Sequence, residues 1–234
     1  MAALELDEAA WKRRLDDGAL EMGVQLDESQ VEVLWRYGVM LRERNEHVNL
    51  TSIVSPEGVL TLHMLDSLSV ASHLGDAQNV LDMGTGGGFP GVPLAVAFPD
   101  RSFTLIDGTQ KKIRFVSESI EALDIRNATA MAARAENLPE IIGDRAHYDV
   151  VVARAVASLA ELVHNAGRLL APQGRLLAMK GRLPEEEIRG VPRGWHADVM
   201  PLRVPGLDAE RHLVSLTRVG KGAAAPGKAK PRSA

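Results

Sequence analysis

The run Val80-Leu81-Asp82-Met83-Gly84-Thr85-Gly86-Gly87-Gly88-Phe89-Pro90-Gly91 holds the densest chemical signal in this chain. An apolar, strand-like stretch ends on an acid. Glycines then let the backbone turn tightly and approach a ligand where a Cβ would collide. Gly91-Val92-Pro93-Leu94 reads as the start of the helix that follows. Gly86, Gly88 and Gly91 fall on the G-x-G-x-x-G spacing of dinucleotide sites, a weak signal when it stands alone. Asp82, two residues before Gly84, discriminates between cofactors. A carboxylate beside a pyrophosphate repels it, whereas the sulfonium and ammonium of S-adenosylmethionine are attracted by it or by water it organises. Asp82 therefore favours S-adenosylmethionine over NAD.

Asp107 closes the next apolar run, 103–106, where a carboxylate can accept both ribose hydroxyls of an adenosine. Either cofactor would use it. Arg134-Ala135-Glu136 follows a third run, 128–131, and can supply a backbone amide and a side chain to an adenine edge. An ordinary surface glutamate explains Glu136 equally well. Arg154 ends the run 149–153 and is poorly explained as a core residue. It is the catalytic-site candidate, in an orienting role, and no acid or base is assigned. His63 and His212 read as structural hydrogen-bonding groups, and the seven histidines show no metal-ligand spacing.

The elements that position these residues follow from periodicity. Asp27 with Gln30 forms a capping-box signature, and Val31, Leu34, Trp35 and Leu41 repeat at helical spacing, which predicts a helix over 28–44. A weaker helical pattern covers 8–22, and Ser55-Pro56 opens a further helix through Leu62 and Leu65. Residues 1–75 thus form a helical extension without strand patterns. From Asn79 short apolar runs at 80–83, 103–106, 149–153 and 176–179 alternate with helical spacing at 111–123 and 159–170. That alternation predicts a doubly wound, Rossmann-like α/β sheet over 76–220, mostly parallel, with ligands bound at the carboxyl ends of its strands. The last apolar runs, near 202–204 and 213–219, have no helix between them and should pair antiparallel at one edge.

Composition sets the limits. The 234 residues are 45% hydrophobic and 25% charged, with a net charge of −4. The whole chain is therefore no polycation, and any RNA site is a local patch. Lys111, Lys112 and Arg114 open a helix beside the glycine loop, and Lys180, Arg182 and Arg211 are candidates on neighbouring loops. A solvated face explains each one singly; as a set they suit a phosphate track. Residues 221–234 carry four basic residues and no acid among Gly, Ala and Pro, and read as a disordered basic tail. No run is long and apolar enough to span a membrane, and the acidic, amphipathic start is unlike a signal peptide, so the expected location is cytoplasmic. The absence of cysteine excludes disulfides, thiolate metal sites and thiolate attack on a pyrimidine ring.

Taken together, these residues resemble the bacterial 16S ribosomal RNA guanine-N7 methyltransferases, also called the glucose-inhibited division protein B family. The likeness runs through Asn49-Leu50-Thr51-Ser52, His63, Leu65-Asp66-Ser67, the loop from Asp82 to Gly91, Asp107, Lys111-Lys112-x-Arg114-Phe115, Arg134-x-Glu136, Arg154-Ala155, Lys180-Gly181 and Glu210-Arg211-His212. Gly87 replaces the proline of many members, and Gly108 stands where serine or alanine is common. The resemblance implies methyl transfer from S-adenosylmethionine to N7 of a guanine in the decoding-region loop of small-subunit RNA. It also implies that Gly84, Phe89, Asp107, Gly108, Thr109, Ala135, Glu136 and Arg154 contact the cofactor. Guanine N7 already carries a free lone pair, so no proton need leave before attack. The missing Asp/Asn-Pro-Pro-Tyr run, typical of exocyclic-amine methylation, agrees with that chemistry. A nicotinamide oxidoreductase on the same fold, and a noncatalytic ribosome-associated RNA binder that retains the pocket, remain the alternative readings.

Overall fold

The computed structural model describes residues 7–143, 148–155 and 158–219; the basic tail at 221–234 lies outside the described residues. Asp7 caps α1 (Glu8–Glu21) by accepting from the Ala10 amide. Asp27 and Gln30 form the expected capping box, and α2 runs Glu28–Asn45. Ser55 caps α3 (Pro56–Gly58) with proline in its first turn. This helix continues without a break through a π-helical segment, Val59–Leu65, into α4 (Asp66–Leu68). The π winding departs from the regular helix that spacing predicts. The Asp66 N–H bonds the Thr61 carbonyl five residues back, while the Leu62 carbonyl receives an N–H of Arg154.

Strands and helices then alternate: β1 (Asn79–Met83), α5 (Gly91–Ala97), β2 (Ser102–Asp107), α6 (Gln110–Ala122), β3 (Ala128–Ala132), α7 (Leu138–Ile142), β4 (Tyr148–Arg154), α8 (Leu159–Ala166), β5 (Leu170–Lys180) and α9 (Glu185–Arg189). The chain closes with β6 (Trp195–Leu202) and β7 (Arg211–Arg218). The seven strands lie in the order β3-β2-β1-β4-β5-β7-β6. The first five are parallel, and β7 enters between β5 and β6, antiparallel to both. The two closing runs therefore do pair antiparallel, but the outer strand begins at Trp195 and retains only Leu202 of the run expected for it.

Alternation along the strands divides the core between the two faces. Val80, Phe103, Leu105, Val150, Val152 and Leu177 point to one face, where they join Trp11, Leu34, Tyr37 and Leu41 of the helical extension, or preface, in a continuous apolar cluster. Leu81, Ile106, Val151, Leu176 and Val214 point to the other, against α8 residues Leu159 and Leu162. Burying each large apolar side chain stabilises by about 1.5 to 3 kcal/mol, so the preface and the sheet are energetically one body. Asp82 and Arg154 share the parity of Val80 and Val152. Both side chains consequently face the preface. Among the described residues no helix is long and apolar enough to cross a membrane.

Candidate functional site

The glycine loop hangs between β1 and α5 by bonds from several directions. The amides of Gly84 and Thr85 donate to the Ile106 carbonyl at 2.8 and 3.0 Å, tying the loop to the end of β2. Gly84, Gly86 and Gly88 have φ of 77°, 57° and 93°. The glycines answer to different neighbours. A Cβ on Gly86 would meet nothing within 4 Å, so its requirement is the left-handed backbone on a face open to a ligand. A Cβ on Gly88 would lie 2.0 Å from the Tyr37 hydroxyl, and one on Gly91 would lie 2.7 Å from Asp82 Oδ2. These last two face protein.

Asp82 is fully buried. Its Oδ2 accepts from Thr85 Oγ1 at 2.6 Å and from the Gly91 amide at 2.7 Å, whereas Oδ1 has no partner among the described residues. Burial pushes its carboxyl up to about 6, against the pull of those two bonds and of Arg154. At the end of β2, Asp107 accepts from the Gly86 amide through Oδ2 at 3.0 Å and from the Thr109 amide through Oδ1 at 2.8 Å. One acid thus braces the loop from beneath and the other from the side. Exposed Gly108 and half-buried Thr109 lead from Asp107 into α6. Beyond β3, buried Ala135 and exposed Glu136 begin a 3-10 turn, Ala135–Asn137. All lie past the carboxyl ends of adjacent strands, where a doubly wound sheet binds its ligand.

Arg154 is bonded into the preface. Its Nη1 donates to the Leu62 carbonyl at 2.8 Å and to Asp66 Oδ2 at 3.0 Å, its Nη2 lies 3.2 Å from His63 Nδ1, and its guanidinium lies 5.3 Å from the centre of the Phe89 ring. A guanidinium has no acceptor, so His63 Nδ1 accepts and its Nε2 carries the proton. That N–H donates to Thr51 Oγ1 at 2.9 Å. Burial, then the Arg154 charge, lowers His63 to about 3, which leaves a neutral ring. The ring stacks on Phe89 at 4.3 Å. Phe89 is 3% exposed, and its ring is a wall of this cluster. Asp66 accepts from Arg211 Nε at 2.8 Å on its other oxygen. Ala155, at φ 54°, turns the chain sharply off β4 directly after Arg154, in a conformation that costs a non-glycine residue about 1 to 2 kcal/mol.

The basic candidates separate into two groups. Lys111 is exposed, Lys112 half-buried, and neither has an ion-pair partner among the described residues. Arg114 is exposed and pairs with Glu118, which also binds Arg44. Arg182 is exposed on the loop after β5. Lys180 pairs with Glu187 at 2.8 Å, and Arg211 is held by Asp66 and the Glu210 carbonyl. Sequence reading missed Tyr37, whose hydroxyl donates to the Gly87 carbonyl at 2.8 Å from a fully buried position. It also gave Thr51 and Asp66 no role. Among the described residues no group of three His, Asp or Glu side chains is placed to hold a metal. A concavity of about 600 Å³ lined by Asp27, Gln30, Val96, Pro99 and Asn127 lies by the amino ends of β2 and β3, away from both acids.

Comparison with known proteins shows the family and the fold. The family model described as rRNA small subunit methyltransferase G (GidB) matches residues 30–214. A ribosomal RNA small subunit methyltransferase G of Cupriavidus necator is 41% identical over 229 residues, covering 91% of this chain and 97% of that protein. One from Stenotrophomonas maltophilia is 44% identical over 204 residues, covering 87% and 93%. Among solved structures, the O-methyltransferase TomG of Streptomyces achromogenes, determined in complex with SAM, superposes with a TM-score of 0.54 at 15% identity, covering 89% of this chain and 99% of that one. At that identity the likeness shows the fold.

Proposed function

The chain belongs to the rRNA small subunit methyltransferase G family, and we infer that it transfers a methyl group from S-adenosylmethionine to N7 of a guanine in the decoding-region loop of 16S ribosomal RNA. The observation that carries the cofactor is the buried, unpartnered Oδ1 of Asp82 under a loop whose next strand ends on Asp107. A cationic ligand group meets the Asp82 oxygen favourably and a pyrophosphate does not, which sets the nicotinamide alternative aside. When bound, S-adenosylmethionine supplies a methyl group on a positively charged sulfur.

The roles of the chain's own residues follow. Gly84, Gly86 and the backbone of Gly88 and Phe89 line the loop. Asp82, buried beside the loop, acts on the cationic end of the cofactor through its charge. Asp107 accepts from the ribose, with Gly108 and Thr109 beside it, and Ala135 and Glu136 border the adenine. Arg154 acts by position: it locks the π-helical segment and Phe89 against the end of β4, so the pocket wall is fixed before ligands arrive. Because the N7 lone pair is free, holding methyl and nitrogen in line is the main catalytic task, and such orientation is worth about 7 to 11 kcal/mol of barrier. Neutral, buried His63 is spared any role as base. Lys111, Lys112 and Arg114 are placed to track RNA phosphates from the start of α6, joined by Arg182. Lys180 and Arg211 support the site through Glu187 and Asp66. We place this activity on the small ribosomal subunit or its RNA, in the cytoplasm.

The test is a substrate RNA with 7-deazaguanine at the target. It keeps the Watson–Crick edge but presents C–H where the methyl must be accepted. Binding should persist within severalfold, since one lost hydrogen bond costs about 0.5 to 1.5 kcal/mol, while methylation disappears. Labelled methyl recovered on the deaza nucleotide would overturn the N7 assignment.

A further inference from the structure

We propose that Tyr37, reaching across from α2, is a positioning residue of the cofactor loop, so that the helical preface sets affinity for S-adenosylmethionine. The proposal rests on the cofactor reading above. A loop with three glycines at positive φ loses much backbone freedom when it is ordered, and any part of that cost left unmet in the free protein is charged against ligand binding. Most of its anchors come from the sheet itself: the Ile106 carbonyl holds Gly84 and Thr85, Asp107 holds the Gly86 amide, and Asp82 holds Thr85 and Gly91. The carbonyl of buried Gly87, at the apex, is held by Tyr37 alone among the side chains described, at 2.8 Å.

The hydroxyl is itself well fixed. The Tyr37 ring lies edge-on to Phe89 at 5.8 Å and tilted against Phe115 at 5.7 Å, so it bridges the loop and α6. Burial, aided by the Asp82 charge, holds its ionisation well above the usual tyrosine range, which keeps the hydroxyl a donor. The loop passes so close that a Cβ at Gly88 would sit 2.0 Å from the oxygen. Tyrosine at 37 and glycine at 88 are therefore matched to each other. A ring needed only for packing would require neither the hydroxyl nor that close passage.

Tyr37→Phe keeps the ring and removes the donor, leaving the Gly87 carbonyl unpaired. Calorimetric titration should show affinity for S-adenosylmethionine falling about tenfold, as for one buried hydrogen bond, with RNA affinity and the rate at saturating cofactor within about twofold of the parent. Hydrogen exchange of the ligand-free protein supplies an independent reading. The amides of Gly88 and Phe89, both bonded to the Thr85 carbonyl, should exchange faster in the variant while those of β1 and β2 do not. Unchanged cofactor affinity, or a uniform rise in exchange with cofactor and RNA binding lost together, would assign Tyr37 to packing and overturn the proposal. Failure of the parent protein to bind S-adenosylmethionine would instead remove the cofactor reading.

Discussion

Asparagine in place of Asp82 should make the ligand-free protein progressively more stable, relative to the parent, as pH rises from about 4 to about 7, while weakening cofactor binding. Burial raises this carboxyl from its ordinary 3.8 to about 6, and nearby Asp107 adds to the rise. The folded state thus holds the proton more tightly than the unfolded one. Its stabilising contribution is complete below 3.8 and is lost as pH climbs through about 6. At about 1.4 kcal/mol per pH unit, the difference between the two values amounts to about 3 kcal/mol of ionisation cost carried at neutral pH. Asparagine carries none of it.

The substitution introduces one opposing effect. The asparagine carbonyl can keep the bonds from Thr85 and Gly91, but its amide nitrogen takes the place of the unpartnered Oδ1. An unmet buried donor costs about 1 to 3 kcal/mol, and that cost does not vary with pH. The slope is therefore the quantity to measure. Denaturant unfolding of both proteins across about pH 4 to 8 should show the difference widening by about 3 kcal/mol in favour of asparagine. A difference that stays constant would refute the assignment of an ionising cost to Asp82. By linkage, the parent should lose affinity for S-adenosylmethionine below about pH 6, by up to tenfold per pH unit, whereas the variant should bind weakly and without that dependence.

Asp107→Ala removes an acceptor for the ribose and the brace on the Gly86 amide, so cofactor affinity should drop at least about tenfold in titration; parental affinity would place the ribose elsewhere. Lys111→Ala with Lys112→Ala should flatten the salt dependence of RNA binding by up to about two units of slope and leave cofactor affinity intact. An unchanged slope would move the RNA track to another face. His63, held near 3, should show no titration by NMR between about pH 5 and 8, and a midpoint near the ordinary 6.5 would mean the Arg154 contact is open in solution.

Local signals in the sequence were sufficient where the physics is local. The capping box of Asp27 and Gln30 fixes the start of α2, and Ser55-Pro56 fixes the entry to the next helix, because each cap satisfies its own first turn. The π winding of Val59–Leu65 has no such signal. It accompanies a bond between Leu62 and Arg154, 92 residues apart. Strand β5 starts at Leu170, not at 176, because Leu170 already pairs with Tyr148; the apolar pattern lapses and the register shifts across Pro172-Gln173-Gly174 before Arg175 pairs with Val150. Likewise β6 is only half-buried, and His196 and Asp198 blur its alternation. In the site, Asp82 and Asp107 are legible because one is next to last and the other last in its own strand. Arg211 read as a free phosphate contact because its acid, Asp66, is 145 residues away.

The glycine spacing shows why a motif can be found correctly and still leave its ligand open. Gly86, Gly88 and Gly91 satisfy the dinucleotide pattern, yet a Cβ at Gly88 is barred by Tyr37 and one at Gly91 by Asp82 and Leu105. Two of the three are thus imposed by the protein's own packing of loop and helix on the sheet. The constraint at Gly91 belongs to the turn from β1 into α5, whereas that at Gly88 comes from α2 of this chain. Gly86 faces open space and is the one of the three whose surroundings leave room for a ligand. What separates cofactors is the charge held beside the loop. Asp82, with one oxygen engaged by the loop and the other without a partner among the described residues, carries an ionisation cost at neutral pH that a cation, a proton or a bound water offsets.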